Sequence, residues 1–168
     1  PEDSIYTELR LDEQLFNSDT SWHEAIYKFI PRIDPVDGDP TCDNFTDTLI
    51  VPIRVNPTPA IRVIATDSVL CNGIDAAEIN IRNPNEFVYG QWVYELEVIP
   101  DDPLYLSGYR DGDTSLTDSM IIDYPVNSDT VVHSLIYRFR PKRSYDGLLC
   151  GGGNDTSIVF WVNPTPEI

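Results

Sequence analysis

The chain has 168 residues, with 28 acidic side chains against 11 basic ones and a formal net charge of −17. Such a surface repels phosphate backbones and anionic lipid, which argues against nucleic acid as a partner. No apolar run reaches the roughly 18 residues a spanning helix needs, so membrane insertion is not expected.

A 41% hydrophobic and 11% aromatic content suffices for cores, and the length permits one or two domains. Fourteen Pro and nine Tyr, with abundant Val, Ile and Thr, fit strands punctuated by turns. No 3.6-residue apolar period extends beyond about three turns, so the expected class is all-β. The chain opens at Pro1 with neither Met nor a signal peptide, which reads as an excised piece of a longer protein.

In chain order, alternation predicts a strand over Ala60–Leu70 and a second over Ala77–Arg82. The longest is expected over Phe87–Ile99, with Trp92, Tyr94, Leu96 and Val98 on one face and Glu95 and Glu97 on the other. Gly90 interrupts this alternation and is expected to form a bulge. Leu104–Leu106, Ser119–Val126, Val131–Arg140 and Thr156–Val162 complete about seven strands. That number, with turn residues between them, fits an immunoglobulin-like β-sandwich. Trp92 and Tyr137 would be its central and corner aromatics, or equally ordinary core residues.

The chain also repeats itself. Asn17-Ser18-Asp19-Thr20 recurs as Asn127-Ser128-Asp129-Thr130, and His23, Ile26, Tyr27, Phe29 and Pro31 recur 110 residues later as His133, Ile136, Tyr137, Phe139 and Pro141. Cys42 matches Cys150, and Val55-Asn56-Pro57-Thr58-Pro59 matches Val162-Asn163-Pro164-Thr165-Pro166. Ordered matches over some 45 residues are not chance. They define a complete module over 60–168 and the back half of another over 1–59. Nothing upstream corresponds to Ile61–Thr117, so the first copy either continues upstream or borrows strands from a partner. Pro-Thr-Pro fixes φ at two of three residues, which makes the connection semi-rigid and extended.

Several motifs together resemble the PKD-like, immunoglobulin-like repeats of large surface or secreted proteins of Bacteroidota. They are Leu70-Cys71-Asn72-Gly73, Tyr89-Gly90-Gln91-Trp92, Tyr137-Arg138-Phe139-Arg140-Pro141, Cys150-Gly151-Gly152-Gly153 and the closing Val-Asn-Pro-Thr-Pro. The resemblance implies tandem β-sandwich modules in an extracellular or cell-surface protein exported by the type IX system, some of them adhesins or gliding proteins. It implies no enzymatic activity. Partners would be neighbouring modules of the same chain, and surface glycans or another protein. Alternatives are a carbohydrate- or protein-binding module, or an accessory domain of a secreted hydrolase. The loop from Asp101 to Asp118 departs from the family's pattern.

For an exported protein, one disulfide per module explains the odd cysteine count, and Cys71–Cys150 is the expected bridge; two small buried thiols are the alternative. No cofactor is expected beyond calcium. The acidic run Asp111, Asp113 and Asp118 could supply oxygen ligands to it, although the spacing is not that of an EF-hand and solvated turn residues explain it as well. Asp34, Asp37 and Asp39 form a second acidic run. Tyr105 and Tyr109 are the candidate contact residues for a ligand. Asp-Ser/Thr-aliphatic triplets at Ser4, Thr48, Ser68, Ser119 and Thr130 resemble the O-glycosylation sequon of exported Bacteroidota proteins, and Asn44 and Asn154 fit the N-glycosylation pattern. His23 and His133, being repeat equivalents, read as structural.

Overall fold

A computed structural model describes residues 11–33, 42–43, 45–86 and 88–166. The protein is all-β. The first part holds β1 (His23–Phe29), β2 (Arg32–Ile33), β3 (Cys42–Asp43) and β4 (Leu49–Val55), with one 3-10 turn at Phe45–Asp47. Next come β5 (Arg62–Ala65), β6 (Val69–Leu70), β7 (Ala77–Arg82), β8 (Gln91–Pro100), β9 (Leu106–Ser107) and β10 (Asp113–Leu116). The last are β11 (Met120–Asp123), β12 (Val126–Asn127), β13 (His133–Tyr145), β14 (Leu148–Cys150) and β15 (Thr156–Val162).

From β5 onward, two main sheets enclose one core, with a two-stranded pair β9–β12 beside them. The larger runs β10-β8-β13-β15-β6, with β14 also paired to β13, and the smaller runs β11-β7-β5. All pairings are antiparallel except β15 with β6, which is parallel. Period-2 alternation explains which side chains meet. Leu135, Tyr137 and Phe139 of β13, Tyr94 and Leu96 of β8, and Phe160 and Val162 of β15 point inward onto Ala77, Ile79, Ile81 and Ile121 of the smaller sheet. Burying each of the large members contributes roughly 1.5–3 kcal/mol. On the outer face, the register Arg138↔Glu97 and Arg140↔Glu95 builds an ion-pair ladder, with Arg140 also on Asp155 at 3.0 Å.

Several boundaries differ from expectation. The strand foreseen over Ala60–Leu70 breaks at Asp67, whose carboxylate accepts the N–H groups of Ser68 and Val69. The local bonds compete with the ladder, and the chain crosses from the smaller sheet to the larger one. Likewise, Ser119–Val126 divides into β11 and β12 around Tyr124-Pro125, because proline has no N–H to give a ladder. Gly90 is not a bulge: it precedes β8 with φ 87°, and a Cβ there would meet the Ser144 carbonyl oxygen at 2.5 Å. The longest strand is β13, not β8. It continues through Pro141, where its neighbour changes from β15 to β14, and turns at Asp146-Gly147 (φ 48° and 78°). Two positive φ values at a two-residue connection match the right-handed twist of the flanking strands.

The hairpin β1–β4 pairs His23↔Val55, Ile26↔Pro52 and Phe29↔Leu49. Its repeat equivalents on β13 and β15 pair His133↔Val162, Ile136↔Val159 and Phe139↔Thr156, the same register. So does the next step, with Ile33↔Cys42 matching Arg143↔Cys150. The turn before each hairpin is wired alike. Asn17 and Asn127 each donate from Nδ2 to two carbonyls, those of Ser21 and Val55 in one case and of Val131 and Val162 in the other. Asp19 and Asp129 each accept from the following Thr N–H and from a histidine Nε2, at 2.8 Å for His23 and 3.0 Å for His133.

Burial separates the two hairpins. Leu135, Tyr137 and Phe139 are fully buried, whereas Phe29, Leu49, Ile50 and Ile53 are exposed. Among the described residues, no second sheet covers β1–β4 and no strand other than β4 pairs with β1.

Candidate functional site

The site built from several elements at once lies where the first hairpin meets the two-sheet body. Its covalent part is Asn56-Pro57-Thr58-Pro59-Ala60. Proline rings hold this stretch extended, and both Pro57 and Pro59 are buried. Extended backbone exposes its carbonyls and N–H groups sideways, and the body satisfies them. Asn85 accepts the Ala60 N–H at 3.0 Å and donates to the Thr58 carbonyl at 3.2 Å. The Trp92 indole N–H donates to the Ala60 carbonyl at 2.9 Å. Gly153 lies against Pro59 so closely that a Cβ would run into its carbonyl oxygen.

Side chains of the hairpin close the contact from the other side. Asn56 clamps the main chain of Tyr89, its Nδ2 donating to the carbonyl at 2.9 Å and its Oδ1 accepting the N–H at 2.8 Å. Trp22 meets the Tyr89 ring edge-on, with centroids 5.0 Å apart. The Arg54 guanidinium stands 4.8 Å from the Tyr89 centroid and 5.9 Å from that of Trp22. The Thr20 carbonyl accepts the Glu86 N–H at 3.1 Å. These are contacts that orient two parts of a chain. No family model matches the chain, and no curated protein matches it.

Sequence reasoning found the Val-Asn-Pro-Thr-Pro motif and its stiffness but not Trp22, Arg54, Asn85 or Tyr89 as its partners. The repeat hides them: Trp22 and Arg54 become Val132 and Trp161 in the second copy, so neither stands out as a shared motif.

A second polar cluster surrounds His133. Its Nδ1 lies 2.9 Å from Asp101 and its Nε2 3.0 Å from Asp129, while Tyr105 stacks on the ring at 5.6 Å. Hydrogen bonding to Asp129, then to Asp101, holds the imidazole above its ordinary pKa of 6.5 against the opposing effect of burial. Asp101 also accepts the Ser134 N–H at 2.8 Å. Two carboxylates and a stacked ring tie the turn before β13 to the end of β8, so this histidine is structural in its contacts.

The Cys71–Cys150 bridge is not formed: both residues are exposed, free thiols. Register gives the reason. Leu70, beside Cys71, is level with Val162 and so with His133, whereas Cys150 is level with Arg143. Ten positions along β13 separate them by on the order of 30 Å, against the 7 Å or less that a disulfide tolerates. Asp75 accepts the Cys71 N–H at 2.8 Å and its carboxylate pushes the thiol pKa up, away from reactivity.

Asp111, Asp113 and Asp118 do not converge either. β10 intervenes between the last two, and Asp113 spends its Oδ1 on the N–H groups of Thr114 and Ser115. Among the described residues no group of three His, Cys, Asp or Glu could hold a metal ion. Asp34, Asp37 and Asp39 lie outside the described residues, as does Ser4.

Tyr105 stacks on His133, and Tyr109 packs against the core. Tyr137 is a core residue whose hydroxyl donates to the Asp123 carboxylate at 2.7 Å rather than to an upstream backbone group. Asp123 also takes the Arg110 N–H and Nε–H, each at 3.1 Å. Ser68, Ser119 and Thr130 are exposed and Thr48 is half-buried.

Proposed function

We propose that this chain is a non-enzymatic spacer of tandem immunoglobulin-like β-sandwich modules, a semi-rigid stalk segment of a secreted or cell-surface protein. The observation that carries this reading is the clamped junction, in which Asn56, Trp22 and Arg54 of one hairpin grip Tyr89 of the body that follows. A flexible tether would need none of these contacts.

Three further points support it. The strand orders β11-β7-β5 and β10-β8-β13-β15-β6, with a first strand split between the two sheets, favour an immunoglobulin-like reading. Two hairpins of one register support a repeated module. The acidic surface suits an exported rod. An adhesive or gliding role, and export by the type IX system, rest on the sequence resemblance alone.

The test is backbone 15N relaxation on the whole chain. One shared tumbling time for β1–β4 and for residues 61–163 is expected. Independent tumbling of the hairpin would overturn the spacer reading.

A further inference from the structure

The two hairpins share a register, so each residue of the existing junction has a counterpart on the second hairpin at the same place. Thr20 corresponds to Thr130, Trp22 to Val132, Arg54 to Trp161 and Asn56 to Asn163, with Pro164-Thr165-Pro166 in place of the proline connection. At the first hairpin these groups are occupied by Glu86 and Tyr89. At the second, Thr165 Oγ1 accepts from Asn72 Nδ2 at 2.7 Å, while the side chains of Val132, Trp161 and Asn163 stand open. Val132 and Trp161 are each 47% exposed, and among the described residues the Asn163 carboxamide has no hydrogen-bond partner, although its N–H is held by the Leu70 carbonyl at 3.0 Å.

Beside the Asp101–His133–Asp129 cluster, this end also carries exposed apolar side chains in a chain of net charge −17. Ile74, in the turn after β6, and Leu104, in the turn after β8, are 76% and 84% exposed at the same end of the body, beside Val131 at 55%. Large side chains left in water at one end of a sheet mark a contact surface. The pairing Trp161↔Val69 carries the patch one strand further, since Val69 is also half exposed.

We infer that the end formed by Val132, Trp161 and Asn163 is a docking surface for a further copy of the two-sheet body, received through its Glu86 and Tyr89. Asn163 would offer its carboxamide to the N–H and carbonyl of the incoming Tyr89, as Asn56 does at the existing junction. Trp161 would replace Arg54 against the tyrosine ring, exchanging a cation–π contact for an aromatic pair. The occupant is of this kind because the same four positions hold it once already in this chain. The inference rests on the spacer reading and adds to it the residues that receive the next module.

The experiment extends the whole chain by a copy of residues 60–166 joined directly after Pro166, with the appended copy isotopically labelled. Amide exchange of its Glu86 and Tyr89 is compared with that of the same two amides at the existing junction. Docking slows both in the appended copy, and Asn163→Ala restores exchange of its Tyr89 by about tenfold, the equivalent of ~1.4 kcal/mol of lost protection. Asn163→Ala in the unextended chain should leave the melting temperature unchanged, showing that the body still folds. If the appended amides exchange as in an open loop while the native ones are protected, the docking surface is wrong and the spacer reading stands. If neither pair is protected, the spacer reading itself fails.

Discussion

The indole of Trp22 meets the ring of Tyr89 edge to face, with centroids 5.0 Å apart, and joins two parts of the chain that share no β-sheet. The Arg54 guanidinium adds a cation 4.8 Å from the tyrosine centroid. Because the Asn56 clamp uses only the main chain of Tyr89, the ring can be removed without touching those hydrogen bonds. Edge-on aromatic pairs contribute about 0.5–1.5 kcal/mol and an exposed cation–π contact about 0.5–1 kcal/mol beyond area.

Tyr89→Ala should therefore loosen the junction by about 1–2.5 kcal/mol while the core of the body remains intact. Relaxation measurements would show faster motion of β1–β4 with little change in the core amides. A uniform loss of protection across the core would contradict this assignment.

Gly153 offers an independent test of how the proline connection is seated. A Cβ there collides with the Pro59 carbonyl oxygen and comes within 2.6 Å of Pro141 Cγ, whereas one on Gly151 meets nothing within 4 Å. Gly153→Ala should cost about 1–3 kcal/mol, as overpacking does, and Gly151→Ala should be near neutral. Denaturant melts of the two variants side by side decide it. Equal stability would mean that the connection does not rest on Gly153.

Most of the fold was legible where a period carries it. The alternation of Tyr94 and Leu96 against Glu95 and Glu97 sorts core from ladder, and the repeat reveals two like hairpins. Less visible were features set by partners distant in sequence. Nothing local to Tyr89 announces Trp22, 67 positions earlier, because an edge-on contact has no spacing rule. Asp146-Gly147 was a readable turn signal, and reading it would have carried β13 past Arg140 and exposed the distance between Cys71 and Cys150. The cysteine expectation failed for that reason: an odd count says how many sulfurs remain, not which strand ends they occupy. In the acidic run, Asp113 uses its carboxylate on the N–H groups of Thr114 and Ser115, the solvated-turn role that the sequence left open beside calcium.

The cluster at His133 sets a pH dependence whose sign follows from its partners. The imidazole pKa is raised by Asp129 and then by Asp101, so its stabilisation is complete below 6.5 and is lost as pH rises through the higher folded value. Asp129 is held low chiefly by His133, and Asp101 is low because hydrogen bonds from Ser134 and His133 outweigh its burial. Their contributions are present above the ordinary carboxylate value of 3.8 and fade as pH falls through the depressed ones. The facing groups are Asp101, Asp129, Ser134 and the Tyr105 ring. His133→Gln should thus be most destabilising relative to the parent between roughly pH 4 and 6.5, with the gap narrowing at higher pH. Urea midpoints across pH 4–9 provide the check. A gap independent of pH would show that the histidine acts there only by its shape.

Arg143 is the least comfortable residue in the body. It is 2% exposed, and among the described residues Nε and both terminal nitrogens are buried without a hydrogen-bond partner. Burial pushes its pKa down, as expected for a guanidinium short of anions. Ile33 occupies the same place in the register, opposite Cys42 as Arg143 is opposite Cys150. An orphaned buried polar group costs about 1–3 kcal/mol, and replacing it with an apolar one of suitable shape removes that cost. Arg143→Ile should therefore raise stability by about 1–3 kcal/mol. Arg140→Ile, which deletes ion pairs to Glu95, Glu97 and Asp155 on the outer face, should bring a small loss instead. Thermal melts of the two variants should move in opposite directions. A clear drop for Arg143→Ile would mean that the guanidinium holds a partner essential to the packing of β13 against β8.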